Sequence, residues 1–319
     1  TRDVAVVLDE SQKIKNPDSA LTKSFFDLAP LFRKRIILTG LPVANRPYDL
    51  WAQIYFLDNG QSLGEDFPEF KAEHDLRGEL AHDPDLQVKL EKNLEKIHGK
   101  IRAFCVRETK SGAGLNLPDK HIENIQCDWE PVQKDIYDRY RKELRNTIFR
   151  NGHLQIDNAE EILKRLTRLL QVSSNPWVVD SSYAQVPGKF NVLESLVGQI
   201  ADQREKVIVW STYTNGVDWL ARKLKRHKPL RVHGKLAIEE RNRSLDKFKT
   251  RDEHRVLVAT PGAAKEGLTL TVANNVIFYD RSFSLDDYLQ AQDRIHRISQ
   301  TRECYVKNLI LSDSFDEFV

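Results

Sequence analysis

At 319 residues the chain is long enough for about two domains, each able to bury a core of its own. With 40% hydrophobic and 30% charged residues it has the make-up of a soluble globular protein, and no apolar run nears the roughly 18 residues a membrane span needs. A formal net charge of +2 hides an uneven distribution: nine acids stand against Lys71 and Arg77 between Asp58 and Asp85, which leaves the remainder basic and suited to a polyanion on one face.

Thr1-Arg2-Asp3 opens no apolar signal region. Cys105, Cys127 and Cys304 lie far apart with no Cys-x-x-Cys, which argues against a disulfide framework or zinc ribbon and for a reducing intracellular compartment. The chain holds no methionine, even at position 1, so it is expected to be part of a longer protein.

In chain order, Val4–Leu8 and Arg35–Thr39 predict buried strands, and Pro47–Leu57 and Leu86–His98 predict helices. Pro131 opens a helix whose Ile136, Tyr140, Leu144 and Ile148 share one face, and Ala159–Val172 repeats the pattern. A second alternation follows: strands Lys206–Ser211, Leu230–Val232, Arg255–Thr260, Asn275–Asp280 and Glu303–Leu311, with helices Thr214–His227, Ile238–Lys249 and Leu285–Arg297. Continuous apolar strands alternating with helices imply α/β architecture, with parallel sheets covered on both faces.

Four stretches carry chemistry. Asp9-Glu10 directly follows a strand, at the carboxyl edge where α/β sites form; one carboxylate can hold Mg²⁺ through water while the other activates an attacking water, although a solvated acidic turn would read the same. Leu38-Thr39-Gly40-Leu41-Pro42 is a second strand ending in a tight turn, which by itself is turn chemistry. Thr260 closes a third strand, with backbone N–H groups placed to grip a phosphate and with Gly262 and Gly267 allowing close approach. In Gln290-Ala291-Gln292-Asp293-Arg294-Ile295-His296-Arg297, a continuous helix would put Arg294 and Arg297 on one face, where they could converge on an anion or form surface ion pairs.

Taken in order, these stretches resemble motifs II, III and VI of the SWI/SNF-type DNA translocases, helicase-like ATPases of superfamily 2. Phe104–Lys110 with Leu117-Pro118-Asp119-Lys120 is similar to that family's Arg-rich segment and Leu-Pro-x-Lys. Ser174-Asn175-Pro176 is similar to its Cys-Asn-His-Pro helix end, Val207–Ser211 to its motif IV, and His233-Gly234 to the loop that follows. The resemblance spans nearly all of the chain.

It implies two RecA-like lobes with parallel sheets, joined by a helical segment. Residues 1–128 would be the C-terminal part of lobe one with an acidic helical insertion near 58–100, residues 129–185 a helical bridge, and residues 186–319 lobe two. ATP would lie in the cleft between lobes. Asp9 would anchor Mg²⁺ through water and Glu10 would be the general base. Arg294 and Arg297 would be arginine fingers, and Gly267 and Gln290 would help bind the nucleotide. Gln12, Thr39 and Gly40 would couple the sites, and Ser211, His233, Gly234 and Thr260 would face the backbone of double-stranded DNA. Partner proteins would come through flanking domains, with no membrane association, and the expected location is the cytoplasm or nucleoid in a prokaryote and the nucleus in a eukaryote.

The departures are Ser11-Gln12 where Gly-His or Ala-His is usual, Leu41 for Thr, Thr269 for Asn and Ser299 for Gly. The family's Walker A lysine precedes the Asp-Glu box, and no Gly-Lys-Ser/Thr occurs here, so this stretch alone is expected not to turn over ATP, unlike the intact protein. Two other classes fit less well: a non-catalytic DNA-binding module with a vestigial motor, and a related RNA helicase, whose motif VI would end in Gly-Arg-x-x-Arg. Arg222–Lys228 holds five fixed positive charges and no acid, which suits either phosphates or a solvated face.

Overall fold

The computed structural model describes residues 4–40, 42–43, 46–74, 84–110, 112–150, 153–154, 159–264 and 269–319. The chain divides into two compact units, residues 1–109 and 110–319, each with its own sheet.

In the first unit, strands β1 (Ala5–Asp9) and β2 (Lys34–Leu38) pair in parallel, Ala5 opposite Lys34 and Asp9 opposite Leu38. Helix α1 (Ala20–Leu28) connects them, its first turn capped by Ser19, whose hydroxyl accepts the Thr22 N–H. Period-2 alternation sends Val6, Leu8 and Ile37 toward Ile14, Ala29 and Phe56, forming the core under the sheet. The opposite face is open: Val7, Ile36 and Leu38 are 57%, 48% and 50% exposed. This corrects the expectation of fully buried strands, because α1 and α2 (Trp51–Asp58) pack on one face alone. Helices α3 (Phe67–His74) and α4 (Pro84–Ile101) close a separate core of Trp51, Ile54, Phe70, Ile97 and Ile101.

The second unit opens with β3 (Lys120–Cys127), then α5 (Pro131–Ile148), the short strands β4 (Phe149–Arg150) and β5 (His153–Leu154), and α6 (Ala159–Ser174). Next come α7 (Gly188–Asp202), β6 (Val207–Trp210), α8 (Thr214–Lys223), β7 (Leu230–Val232), α9 (Ile238–Thr250) and β8 (Val256–Ala259). It ends with β9 (Asn275–Phe278), α10 (Leu285–Gln292) and β10 (Cys304–Leu311). Six strands form one parallel sheet in the order β3-β10-β9-β6-β8-β7.

Alternation along β6 explains the layering. Val207 and Val209 face Phe190, Leu193 and Val197 of α7 and Val217 and Leu220 of α8, whereas Ile208 and Trp210 face Leu245 and Phe248 of α9 and Ala291 of α10. Both faces of the sheet are thus covered, and each buried aliphatic side chain contributes on the order of 1.5–3 kcal/mol. Helices α5 and α6 pack on each other through Ile136, Tyr137, Leu144, Leu169 and Val172.

Strand β3 pairs with β10 along its whole length, Lys120 opposite Cys304 and Cys127 opposite Leu311. It therefore belongs to the sheet of the second unit, and the structural division falls before it rather than at residue 128. The helices of the expected bridge are likewise part of the second unit: Gln133 Nε2 donates to Val172 O, and Gln133 Oε1 accepts from Gly188 N.

Candidate nucleotide and nucleic-acid site

The first cluster sits at the carboxyl ends of β1 and β2. Asp9 ends its strand, and Glu10 turns the chain with φ 54° and ψ 47°. This left-handed conformation costs a non-glycine residue roughly 1–2 kcal/mol. Local bonds offset the cost: Asp9 Oδ1 accepts the Glu10 N–H at 2.8 Å, and the 3-10 turn Ser11–Ile14 begins at once.

The carboxylate of Glu10 accepts Gln12 Nε2 at 2.6 Å, and Gln12 Oε1 accepts the Thr39 hydroxyl at 2.6 Å. A buried glutamine thus spans from the end of one strand to the end of the next, joining Glu10 to Thr39. Gly40 follows in an exposed position where a Cβ would meet nothing within 4 Å, so sterics do not require glycine there. A second strut runs beside the first: Ser11 Oγ donates to Gln53 Oε1 at 2.7 Å, while Gln53 Nε2 donates to Pro42 O and Asp49 O. Gln53 was not singled out in the sequence; its signal is an amide on the buried face of Trp51-Ala52-Gln53-Ile54.

The second cluster lies at the carboxyl ends of β6, β7, β8 and β9. Ser211 is fully buried, and its hydroxyl donates to Asp280 Oδ2 at 2.6 Å while Thr212 N donates to Oδ1 at 2.6 Å. Burial pushes the Asp280 carboxyl above the usual carboxylate range, and these donors pull it back in part. Behind Ser211, a Cβ on Gly216 would lie 2.5 Å from Asn175 Oδ1 and 2.8 Å from Ser211 Oγ, so only glycine lets α8 pack this closely.

His233 Nε2 contacts Asp218 Oδ1 at 3.1 Å, an oxygen that also accepts Arg231 at 2.6 Å. Its Nδ1 is buried with no hydrogen-bond partner among the described residues. Thr260 bonds through its N–H to Val232 O and caps the turn Pro261–Ala264. Ser211, His233 and Thr260 are all buried, so in this structure Gly234 alone of the four expected DNA-facing residues is exposed.

Helix α10 ends at Gln292, short of the expected Arg297. Arg294 and Arg297 therefore stand in the irregular turn after it rather than on one helical face: Arg294 is buried, whereas Arg297 is exposed and donates to Thr269 Oγ1 at 3.1 Å. Gln290 is committed to its own helix, donating to Asp286 Oδ1. Gly267 lies outside the described residues. The turn is held by residues that lie within or just after the quoted motifs but to which the sequence assigned no role. Gln300 Nε2 donates to Thr271 O, Ala273 O and Ile295 O. Lys110 Nζ donates to Asp293 Oδ1 and His296 O, Lys120 Nζ to Gln292 Oε1, and His296 Nε2 to Pro118 O.

The structure thus places an acidic turn at the carboxyl edge of one parallel sheet and an arginine-bearing turn in the unit that holds the other. The SNF2-related domain matches residues 3–178, more than half of the chain. The chain belongs to the SNF2-related family. The helicase conserved C-terminal domain matches residues 188–299. The SNF2-related match runs past the structural division at 109 and takes in β3, α5 and α6, which pack with the second unit.

Among SNF2-related proteins, nuclear protein STH1/NPS1 of Saccharomyces cerevisiae is 26% identical over 342 residues, covering 98% of this chain and 24% of that protein. The uncharacterized ATP-dependent helicase MG018 of Mycoplasma genitalium is 26% identical over 321 residues, covering 98% of this chain and 29% of that protein. The Sulfolobus solfataricus SWI2/SNF2 ATPase core in complex with dsDNA superposes with a TM-score of 0.54 at 27% identity, over 98% of this chain and 64% of that one. The chain thus spans less than a third of these curated relatives, and its α/β fold with parallel sheets is that of the RecA-like SWI2/SNF2 ATPase lobes. Among the described residues no helix is long and apolar enough to cross a membrane.

Proposed function

We propose that this chain is part of a DNA-dependent ATPase that translocates on double-stranded DNA, with both units acting on one ATP. The observation that carries the reading is the relay from Glu10 through Gln12 to Thr39, which fixes the acidic turn against the neighbouring strand end. The SNF2-related match and the likeness to a SWI2/SNF2 core bound to dsDNA support it.

In this reading Glu10 accepts the proton of a water that attacks the γ-phosphorus of ATP, the bond to the ADP oxygen breaks, and ADP and phosphate leave. Gln12 holds the carboxylate through one oxygen and leaves the other for the water. Arg294 and Arg297 supply positive charge to the transferring phosphoryl group, and Gln290 and Gly267 line the nucleotide. Lys110 and Gln300 keep the arginine turn in place.

The residues present fit Mg²⁺. Asp9 is exposed and lends one oxygen to the Glu10 N–H, and no cluster of three or more ligands occurs among the described residues, which suits a cation held by one carboxylate through water and by phosphates. When bound, Mg²⁺ would neutralise phosphate charge beside Asp9.

Ser211, His233, Gly234 and Thr260 form the proposed track for the DNA backbone. The buried, unpartnered His233 Nδ1 supports a ligand there, reached once the edge loops shift. Phosphate contacts carry little base information, so binding is expected to be nearly sequence-independent. Steady-state ATP turnover by the full-length protein tests the proposal. Duplex DNA should stimulate turnover severalfold or more, and single-stranded RNA should not; equal stimulation by RNA, or none by either, would overturn it.

A further inference from the structure

The proposed DNA track uses one edge of the six-stranded sheet; the opposite edge is basic and has no assigned role. Strands β6, β7 and β8 run parallel, so the segments preceding them, residues 201–206, 224–229 and 249–255, emerge at the edge away from Ser211, His233 and Thr260. Four-residue strands separate the two edges by about 13 Å of backbone. Hydrogen bonds show that the three segments adjoin. Arg255 donates to Ala201 O at 3.0 Å, Lys206 Nζ to Arg251 O at 3.0 Å, and His254 Nδ1 to Lys228 O at 3.0 Å.

Helix α8 ends at Lys223 and a 3-10 turn covers Lys225–His227, so the basic run wraps a corner rather than continuing as a helix. Its charges are poorly neutralised. Arg226 reaches Glu194 at 3.6 Å, Lys228 reaches Glu253 at 4.0 Å, and Lys223 lies over the Trp219 ring. The side chains of Arg222, Lys225, Lys247, Lys249 and Arg251 make no hydrogen bond or ion pair among the described residues. Asp202 and Asp252 are the remaining exposed acids in these segments.

Cations at helix C-termini have an ordinary explanation, since α7, α8 and α9 all end here and each terminus carries about −0.5 of a charge. Three such termini offset about one and a half charges and Asp202 and Asp252 two more, still short of five unpaired cations. The surface also lacks the apolar centre of a protein interface: Leu224, Leu245 and Phe248 are buried inward, and Ile238, the one exposed large hydrophobic residue between 201 and 255, begins α9 at the other edge.

Charge without apolar surface is the signature of phosphate-backbone binding. We infer that this edge is a second binding surface for duplex DNA, so that the protein holds two duplex segments at once; the inference rests on the duplex-translocase reading above.

The test is titration of the full-length protein with a fluorescent 12-base-pair duplex across salt concentrations. Wild type should bind two duplexes. The combined Arg222→Gln, Lys225→Gln and Lys249→Gln variant should bind one, with the log–log salt slope of the lost site removed, a change of about 2–3 if each charge met one phosphate. These side chains bond to nothing described, so the variant should keep the wild-type melting temperature. An unchanged stoichiometry and slope would overturn this inference while leaving the translocase reading intact. Displacement of one duplex by polyglutamate as effectively as by unlabelled duplex would assign the edge to an acidic protein instead and also overturn it. No duplex binding by the wild type would overturn both.

Discussion

Glu10→Gln in the full-length protein is expected to lower duplex-stimulated ATP turnover at least a hundredfold while leaving duplex affinity unchanged. Glutamine keeps the size of the side chain and still offers an oxygen to Gln12 Nε2, so the relay to Thr39 survives. What is lost is the basic carboxylate, and proton transfer by a positioned general base contributes on the order of 10²–10⁴. Affinity should hold because the residues proposed for DNA belong to the second unit. Steady-state turnover and duplex titration on one preparation separate the two effects. Unchanged turnover would show that another group takes the proton.

Asp316→Ala is expected to cost about 3–5 kcal/mol of stability, the largest structural effect foreseen. Lys189 Nζ lies 2.5 Å from Asp316 Oδ2, with side chains 0% and 6% exposed. The other oxygen accepts Ser173 Oγ at 2.8 Å, and Leu311 N also donates to the carboxylate. One carboxylate therefore ties α6, α7 and β10 to the closing turn Phe315–Phe318, whose Phe315 N–H is in turn accepted by Tyr137 Oη. Removing it leaves the Lys189 ammonium buried with the Tyr279 carbonyl as its remaining hydrogen-bond partner among the described residues, and an uncompensated buried charge carries a penalty of about this size. Urea denaturation should show the loss. The double variant Lys189→Met, Asp316→Leu should recover most of it, because an apolar pair leaves no charge stranded. A loss below about 1 kcal/mol for Asp316→Ala would mean the pair is open in solution.

The central strands of the second unit were plain in the sequence because their burial is symmetric. Val207–Trp210 and Val256–Ala259 are apolar throughout because helices cover both faces, and that run is visible without a structure. Strand β3 escaped notice because it is an edge strand: Lys120, Glu123, Asn124 and Gln126 interrupt its apolar pattern, as an edge exposed to solvent permits. Helix α7 carries Phe190, Leu193, Val197 and Ile200 at helical spacing, yet Gly188 and Gly198 weaken its propensity, and packing decides its form.

The site divides in the same way. The roles proposed for Asp9, Glu10, Arg294 and Arg297 come from the sequence because the pattern that suggests them is local to a motif. Gln53 was not seen, and Lys110 and Lys120 were seen only as parts of motifs, their contacts hidden, because each acts on a partner 42, 183 or 172 residues away. The helix break at Gln292 was also hidden. Leu285–Arg297 reads as one helix, but Gln300 and Lys110 hold the last residues in a turn that no local propensity encodes.

The central claim is that the acidic turn and the arginine turn serve one nucleotide. A structure of the full-length protein with duplex DNA, ADP, Mg²⁺ and aluminium fluoride tests it most directly. The account predicts the Glu10 carboxylate within hydrogen-bonding reach of the attacking water, with Arg294 or Arg297 contacting the fluoride group from the other unit. A nucleotide enclosed by the first unit alone, with both guanidinium groups pointing away from it, would contradict the account.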